Sequence, residues 1–78
     1  MRAALKLPRL SMNMEEGTIT AWKLAPGDRF AAGDPLYEVE TEKVTTEVEA
    51  PCDGTLLEIL VPAGETVAVG AEVCRIER

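Results

Sequence analysis

One cation, Lys43, stands among five glutamates in the segment 38–49. With Glu38, Glu40, Glu42, Glu47 and Glu49 around it, the local net charge is −4. Two chemistries are open to a lysine amine. Nucleophilic catalysis requires a pKa lowered by burial, whereas modification by another enzyme requires exposure and reach. Alternation through Val39 and Thr41, and again through Val44, Thr46 and Val48, predicts two strands paired about a tight turn at Glu42 and Lys43. The turn lacks an Asn-Gly or Asp-Gly pair, so type I is expected rather than I′. An amine at such a tip is solvated, which suits modification and not Schiff-base catalysis. By physics alone it is also an ordinary exposed lysine, paired weakly with its glutamates for about 0–1 kcal/mol.

The rest of the chain offers little catalytic chemistry. It has 78 residues and no histidine, so the usual general base for a serine or cysteine nucleophile is missing. Cys52 and Cys74 are too few for a zinc site and are expected to be free, weakly reactive thiols. No glycine-rich phosphate loop is present. A net charge of −6 argues against nucleic acid, whose phosphates the acidic segment would repel. No apolar run approaches the roughly 20 residues needed to span a bilayer, and residues 1–10 do not form a secretory signal. The expectation is a soluble, unexported, non-catalytic domain over residues 1–78, near the lower size limit for independent folding.

Positioning the tip falls to short strands. Alternating runs at residues 3–7, 18–24, 36–41, 44–49, 55–61 and 72–77, with pieces at 29–30 and 66–67, recur between turn residues. This spacing predicts an all-β sandwich or barrel. Pro26 and Gly27 suit a type II turn, and Gly33, Asp53-Gly54, Gly64 and Gly70 mark further reversals. Ser11 to Glu16 is too short a helical signal to be more than a loop turn. An internal repeat runs at an offset of 37: Gly17-Thr18-Ile19 falls on Gly54-Thr55-Leu56, Gly27 on Gly64, Gly33 on Gly70, and Phe30, Leu36 and Val39 on Val67, Val73 and Ile76. It implies two similar β-units packed face to face around one core, with the lysine segment at their junction.

The ordered set of motifs resembles the lipoyl domain family of 2-oxo acid dehydrogenase acyltransferase components. It comprises Leu7-Pro8-Arg9-Leu10-Ser11, Met14-Glu15-Glu16-Gly17-Thr18-Ile19, Pro26-Gly27-Asp28, Gly33-Asp34, Glu38-Val39-Glu40-Thr41-Glu42-Lys43-Val44-Thr45 and Glu47-Val48-Glu49-Ala50-Pro51. The resemblance runs from about residue 4 to residue 77. It implies a flattened barrel of two four-stranded antiparallel sheets with pseudo-twofold symmetry. It also implies that a lipoyl ligase or lipoyl transfer system joins lipoate to Lys43 as an amide. Glu40 and Gly54 match the family's glutamate three residues before the lysine and its glycine eleven after; Thr41, Glu42 and Val44 complete the recognised context. Glu42 replaces the commoner aspartate and Val44 the commoner alanine. Biotinyl relatives place methionines on both sides of the lysine, so biotin is disfavoured.

The resemblance further implies the partners. The attached dithiolane is reductively acylated by a thiamine-diphosphate-dependent 2-oxo acid decarboxylase, delivers the acyl group to coenzyme A at an acyltransferase core, and is reoxidised by dihydrolipoamide dehydrogenase. The loop Ser11, Met12, Asn13, Met14, Glu15 and Glu16 corresponds to one that helps the decarboxylase choose its domain; the competing reading is a connector in which Met14 fills a core gap. The setting expected is bacterial cytoplasm or mitochondrial matrix. Two other functions stay open: a biotinyl or glycine-cleavage hydrogen carrier, and an unmodified β-barrel interaction module in which Lys43 is merely exposed.

Overall fold

The computed structural model describes residues 1–10, 12–42 and 44–78. Eight strands run in chain order: β1 (Arg2–Lys6), β2 (Glu16–Trp22), β3 (Arg29–Phe30), β4 (Pro35–Glu40), β5 (Thr45–Glu49), β6 (Gly54–Ile59), β7 (Thr66–Ala68) and β8 (Glu72–Glu77). Each matches an alternating run in the sequence to within two residues. They form two four-stranded antiparallel sheets, ordered β1-β8-β6-β3 and β5-β4-β2-β7. Alternation decides which side chains meet: Leu36, Tyr37 and Val39 of β4 and Val73, Cys74 and Ile76 of β8 are buried, with Ile19, Phe30 and Leu56. Glu38, Glu40, Arg75 and Glu77 on the same two strands are not.

The repeat is realised as a pseudo-twofold axis that exchanges the sheets. Mapping β1–β4 onto β5–β8 turns the order β1-β8-β6-β3 into β5-β4-β2-β7, the order of the other sheet. The halves are therefore interleaved. Two units packed face to face, as expected from the sequence, would each own a sheet; here every sheet takes two strands from each half. A lone half would keep only its β2–β4 ladder and leave β1 and β3 unpaired as well as its apolar face exposed, so interleaving satisfies both requirements.

Symmetry extends to individual bonds. Gly27 N–H donates to Leu56 O at 2.7 Å, and its counterpart Gly64 N–H to Ile19 O at 2.6 Å. Gly27, Gly33, Gly64 and Gly70 all have positive φ, between 90° and 98°, where a side chain would be strained. For β1 and β5 the offset is 43: Leu7 N–H donates to Ala71 O, and Ala50 N–H to Asp34 O. The change from 37 to 43 is a difference of six residues, which the connection between β1 and β2 carries in excess. That loop, residues 7–15, is pinned by Met14, a buried residue whose Sδ accepts from Leu10 N–H at 3.2 Å. Glu16, expected in the loop, is instead the first residue of β2, opposite Ala68 of β7.

Trp22 and Tyr37, opposite each other on β2 and β4, pack with ring centroids 4.7 Å apart. The indole N–H donates to Val61 O at 2.9 Å, tying the end of β2 to the segment after β6. Cys52 and Cys74 are free, as expected. Burial pushes the Cys74 thiol up to about 11, against a modest opposing hydrogen bond from the Leu5 backbone. It is a packing residue without thiolate character.

Candidate functional site

The site is the connection between β4 and β5. Lys43 itself lies outside the described residues, as does Ser11 of the neighbouring loop. What brackets Lys43 is well defined. Thr41 N–H donates to Val44 O at 2.8 Å, and Thr41 Oγ1–H donates to the same carbonyl at 3.2 Å. The pseudo-twofold counterpart of the first bond is Arg78 N–H to Val44's equivalent, Met1 O, at 2.9 Å. The two ends of the chain thus meet as the two arms of the hairpin do. Glu42 and Val44 are exposed, Val44 to 52%. β5 starts at Thr45 rather than Val44, so the valine expected to open the strand belongs to the turn region.

Glu40 is the last residue of β4, exposed, with Thr18 of β2 on one side and Thr45 of β5 on the other. On β4 and β5, Glu38 and Glu47 face each other directly; Lys23 Nζ lies 3.3 Å from Glu38 and relieves part of that repulsion. The strands of the sheet carrying the hairpin hold five glutamates, Glu16, Glu38, Glu40, Glu47 and Glu49, and no cation. The strands of the opposite sheet hold Arg2, Lys6, Arg29 and Arg75 against Glu58, Glu72 and Glu77. The hairpin therefore emerges from the negative side of the molecule. Within a Debye length of about 8 Å, that field favours a basic partner surface.

The loop and the hairpin come together. Met12, Asn13, Met14, Glu15 and Glu16 line one open groove with Thr41, Glu42 and Val44. Met12 is 88% exposed, whereas Met14 faces the core, so the loop combines a connector's anchor with an accessible apolar rim. Of the two readings of this loop in the sequence, a partner-recognition loop and a connector in which Met14 fills a core gap, the burial of Met14 fits the connector.

Gly54 is not brought to this site. It opens β6 in the other sheet, opposite Phe30, and its φ is not positive: the chain bends at residues 51–53, and Gly54 is a strand residue rather than the turn glycine expected. A Cβ there would lie 2.6 Å from Glu77 O and 3.0 Å from Phe30 Cζ. The absent side chain serves close approach of β6 and β8. Beside Glu40 the equivalent place is taken by Gly17, whose Cβ would meet Val39 Cγ2 at 2.6 Å. Among the described residues no group of three or more His, Cys, Asp or Glu side chains could hold a metal.

A two-sheet barrel with internal twofold symmetry and a β4–β5 hairpin closed between Thr41 and Val44 defines the fold class to which the comparisons with known proteins point. The sequence model of the biotin/lipoyl attachment family, described as "Biotin-requiring enzyme", matches residues 3–76. The chain belongs to that family. It is 46% identical over 72 residues to the dihydrolipoyllysine-residue acetyltransferase component of the pyruvate dehydrogenase complex of Corynebacterium glutamicum, covering 92% of this chain and 11% of that protein. It is 41% identical over 73 residues to the lipoamide acyltransferase component of the branched-chain alpha-keto acid dehydrogenase complex of Bacillus subtilis, covering 94% of this chain and 17% of that one. The chain thus spans under a fifth of either relative. Among solved structures, the lipoyl domain of the 2-oxoglutarate dehydrogenase complex of Azotobacter vinelandii superposes with a TM-score of 0.78 at 29% identity, covering 96% of this chain and 95% of that one. A long-chain acyl-CoA carboxylase superposes with a TM-score of 0.82 at 23% identity, which shows a shared fold.

Proposed function

We propose that this chain is a lipoyl carrier: lipoate is joined by an amide to Lys43, and the domain presents it to the enzymes of a 2-oxo acid dehydrogenase complex. The observation that carries the reading is the hairpin that brackets Lys43, closed on Val44 O and flanked by exposed Glu42 and Val44. The residues fit such a group, because an amide-linked chain carried between exposed Glu42 and Val44 needs no enclosing pocket, only accessible neighbours. Glu42 and Val44 in place of flanking methionines favour lipoate over biotin. The lipoyl-bearing relatives support the same choice.

When bound, the dithiolane supplies acyl-group and redox chemistry to a thiamine-diphosphate-dependent decarboxylase, an acyltransferase core and dihydrolipoamide dehydrogenase. The chain's own residues do three other things. Thr41 closes the turn. Amide formation on Lys43 removes its charge and takes the chain's formal charge from −6 to −7, so glutamates 38, 40, 42, 47 and 49 present an all-acidic surround to a partner. The compact barrel holds the tether at a fixed origin, which raises the local concentration of the carried group at each active site. Glu40 is assigned to recognition by the ligase, and the groove rim at Met12 and Asn13 to recognition by the decarboxylase.

The test is acceptance of acyl groups by the lipoylated chain from the thiamine-diphosphate-dependent components of pyruvate, 2-oxoglutarate, branched-chain and acetoin-type systems, each offered its own substrate. Acylation by at least one of the four, abolished in Lys43→Arg, supports the carrier role. Acylation by none would overturn it.

A further inference from the structure

The sequence of the hairpin is poorly suited to turning by itself. Its central residues are Glu42 and Lys43, both charged, and neither glycine nor asparagine is available to relax the backbone. Some other group has to close it. Two donors converge on one acceptor: the backbone N–H and the side-chain hydroxyl of Thr41 both reach Val44 O. At the pseudo-twofold position Arg78 N–H donates to Met1 O and the Met1 amino group donates back to Arg78 O, but no side-chain hydroxyl joins them, because an arginine stands where the hairpin has threonine. The hydroxyl bond is thus an addition specific to the end of the molecule that bears the lysine. The same β-branched residue favours the extended backbone that leads out of β4.

We infer that Thr41 is a positioning residue for modification of Lys43: its hydroxyl, through Val44 O, holds the hairpin in the closed turn that the ligase engages. The inference rests on the carrier reading above. A ligase that binds only the closed turn sees an apparent affinity reduced by the fraction of open turns. Loss of one neutral hydrogen bond then predicts a rise in ligation KM of up to about tenfold with kcat unchanged. Thr41→Val is nearly isosteric and removes only the hydroxyl donor; Thr41→Ser restores it.

The experiment compares lipoyl ligation of the parent chain, Thr41→Val and Thr41→Ser, together with hydrogen exchange of the Thr41 amide in each unmodified domain without ligase. The expected result is a raised KM and faster Thr41 amide exchange in Thr41→Val, with both returned toward the parent in Thr41→Ser. Unchanged KM in Thr41→Val would overturn the inference. So would a raised KM with unchanged amide exchange, because the hydroxyl would then touch the ligase directly. Failure of the parent chain itself to accept lipoate would overturn the carrier reading instead, which keeps the two failures distinct.

Discussion

Replacing Gly54 by alanine separates a packing role from a recognition role at a position that sequence resemblance assigns to the ligase. The new Cβ would lie 2.6 Å from Glu77 O, 3.0 Å from Phe30 Cζ and 3.4 Å from Phe30 Cε1. The ring can tilt, but the oxygen belongs to the backbone of β8, between β1 and β6. Moving it disturbs ladders on both sides. Overpacking of this kind costs about 1–3 kcal/mol. Alanine returns about 0.4–1 kcal/mol by restricting the unfolded chain. The net expectation is a loss of about 1–2 kcal/mol, and for a chain of this size a fall in Tm of roughly 5–15 °C. Urea unfolding followed by Trp22 fluorescence measures it, with ligation assayed well below the lowered Tm. Shortening the ring by Phe30→Leu should not rescue the variant, since the contact with Glu77 O persists. Stability within about 0.5 kcal/mol of the parent, combined with a large loss of ligation, would refute the packing argument and make Gly54 a recognition residue.

Three other outcomes follow from the fold. Trp22→Phe removes the bond to Val61 O and part of the stacking on Tyr37, and should cost about 1–3 kcal/mol in urea unfolding. Met14→Ala empties a buried site under the loop and should cost about 2–3 kcal/mol, with faster hydrogen exchange at Leu10 N–H. Cys74 is pushed from an ordinary 9.0 to about 11 by burial, so the folded state holds a proton that the unfolded chain releases. Stability is therefore intact below pH 9 and falls by about 2–3 kcal/mol as pH rises to 11. Tyr37, whose hydroxyl is raised by burial and by nearby Cys74, acts in the same direction. Denaturation midpoints between pH 8 and 11 test this, and thiol labelling at pH 8 should reach half-buried Cys52 well before Cys74.

Much of this fold was legible in the sequence because its determinants are local. Alternation located the eight strands, and four glycines in register announced the four positive-φ turns found among the described residues. Non-local determinants were not legible. Gly54 follows an aspartate and reads as a turn, while its actual constraint, Glu77 O, lies 23 residues away. The equivalence of Leu7-Pro8 with Ala50-Pro51 was hidden by the six extra residues before β2, which shift the offset from 37 to 43. Interleaving of the halves could not be read from the repeat either, since a repeat states which segments are alike and not which of them pair. At the site, the pairing of β4 with β5 and its acidic surround were legible, but the double closure by Thr41 was not. A threonine before a turn is common, and only geometry shows where its hydroxyl goes.

The carrier reading stands or falls on what is attached at Lys43. The direct measurement is incubation of the unmodified chain with lipoyl ligase and biotin ligase together, each with its own cofactor and ATP, followed by intact-mass analysis and peptide mapping. The predicted result is a gain of one lipoyl group, located on the peptide containing Lys43 and absent from Lys43→Arg. Biotin on that peptide, or no gain with either ligase, would contradict it.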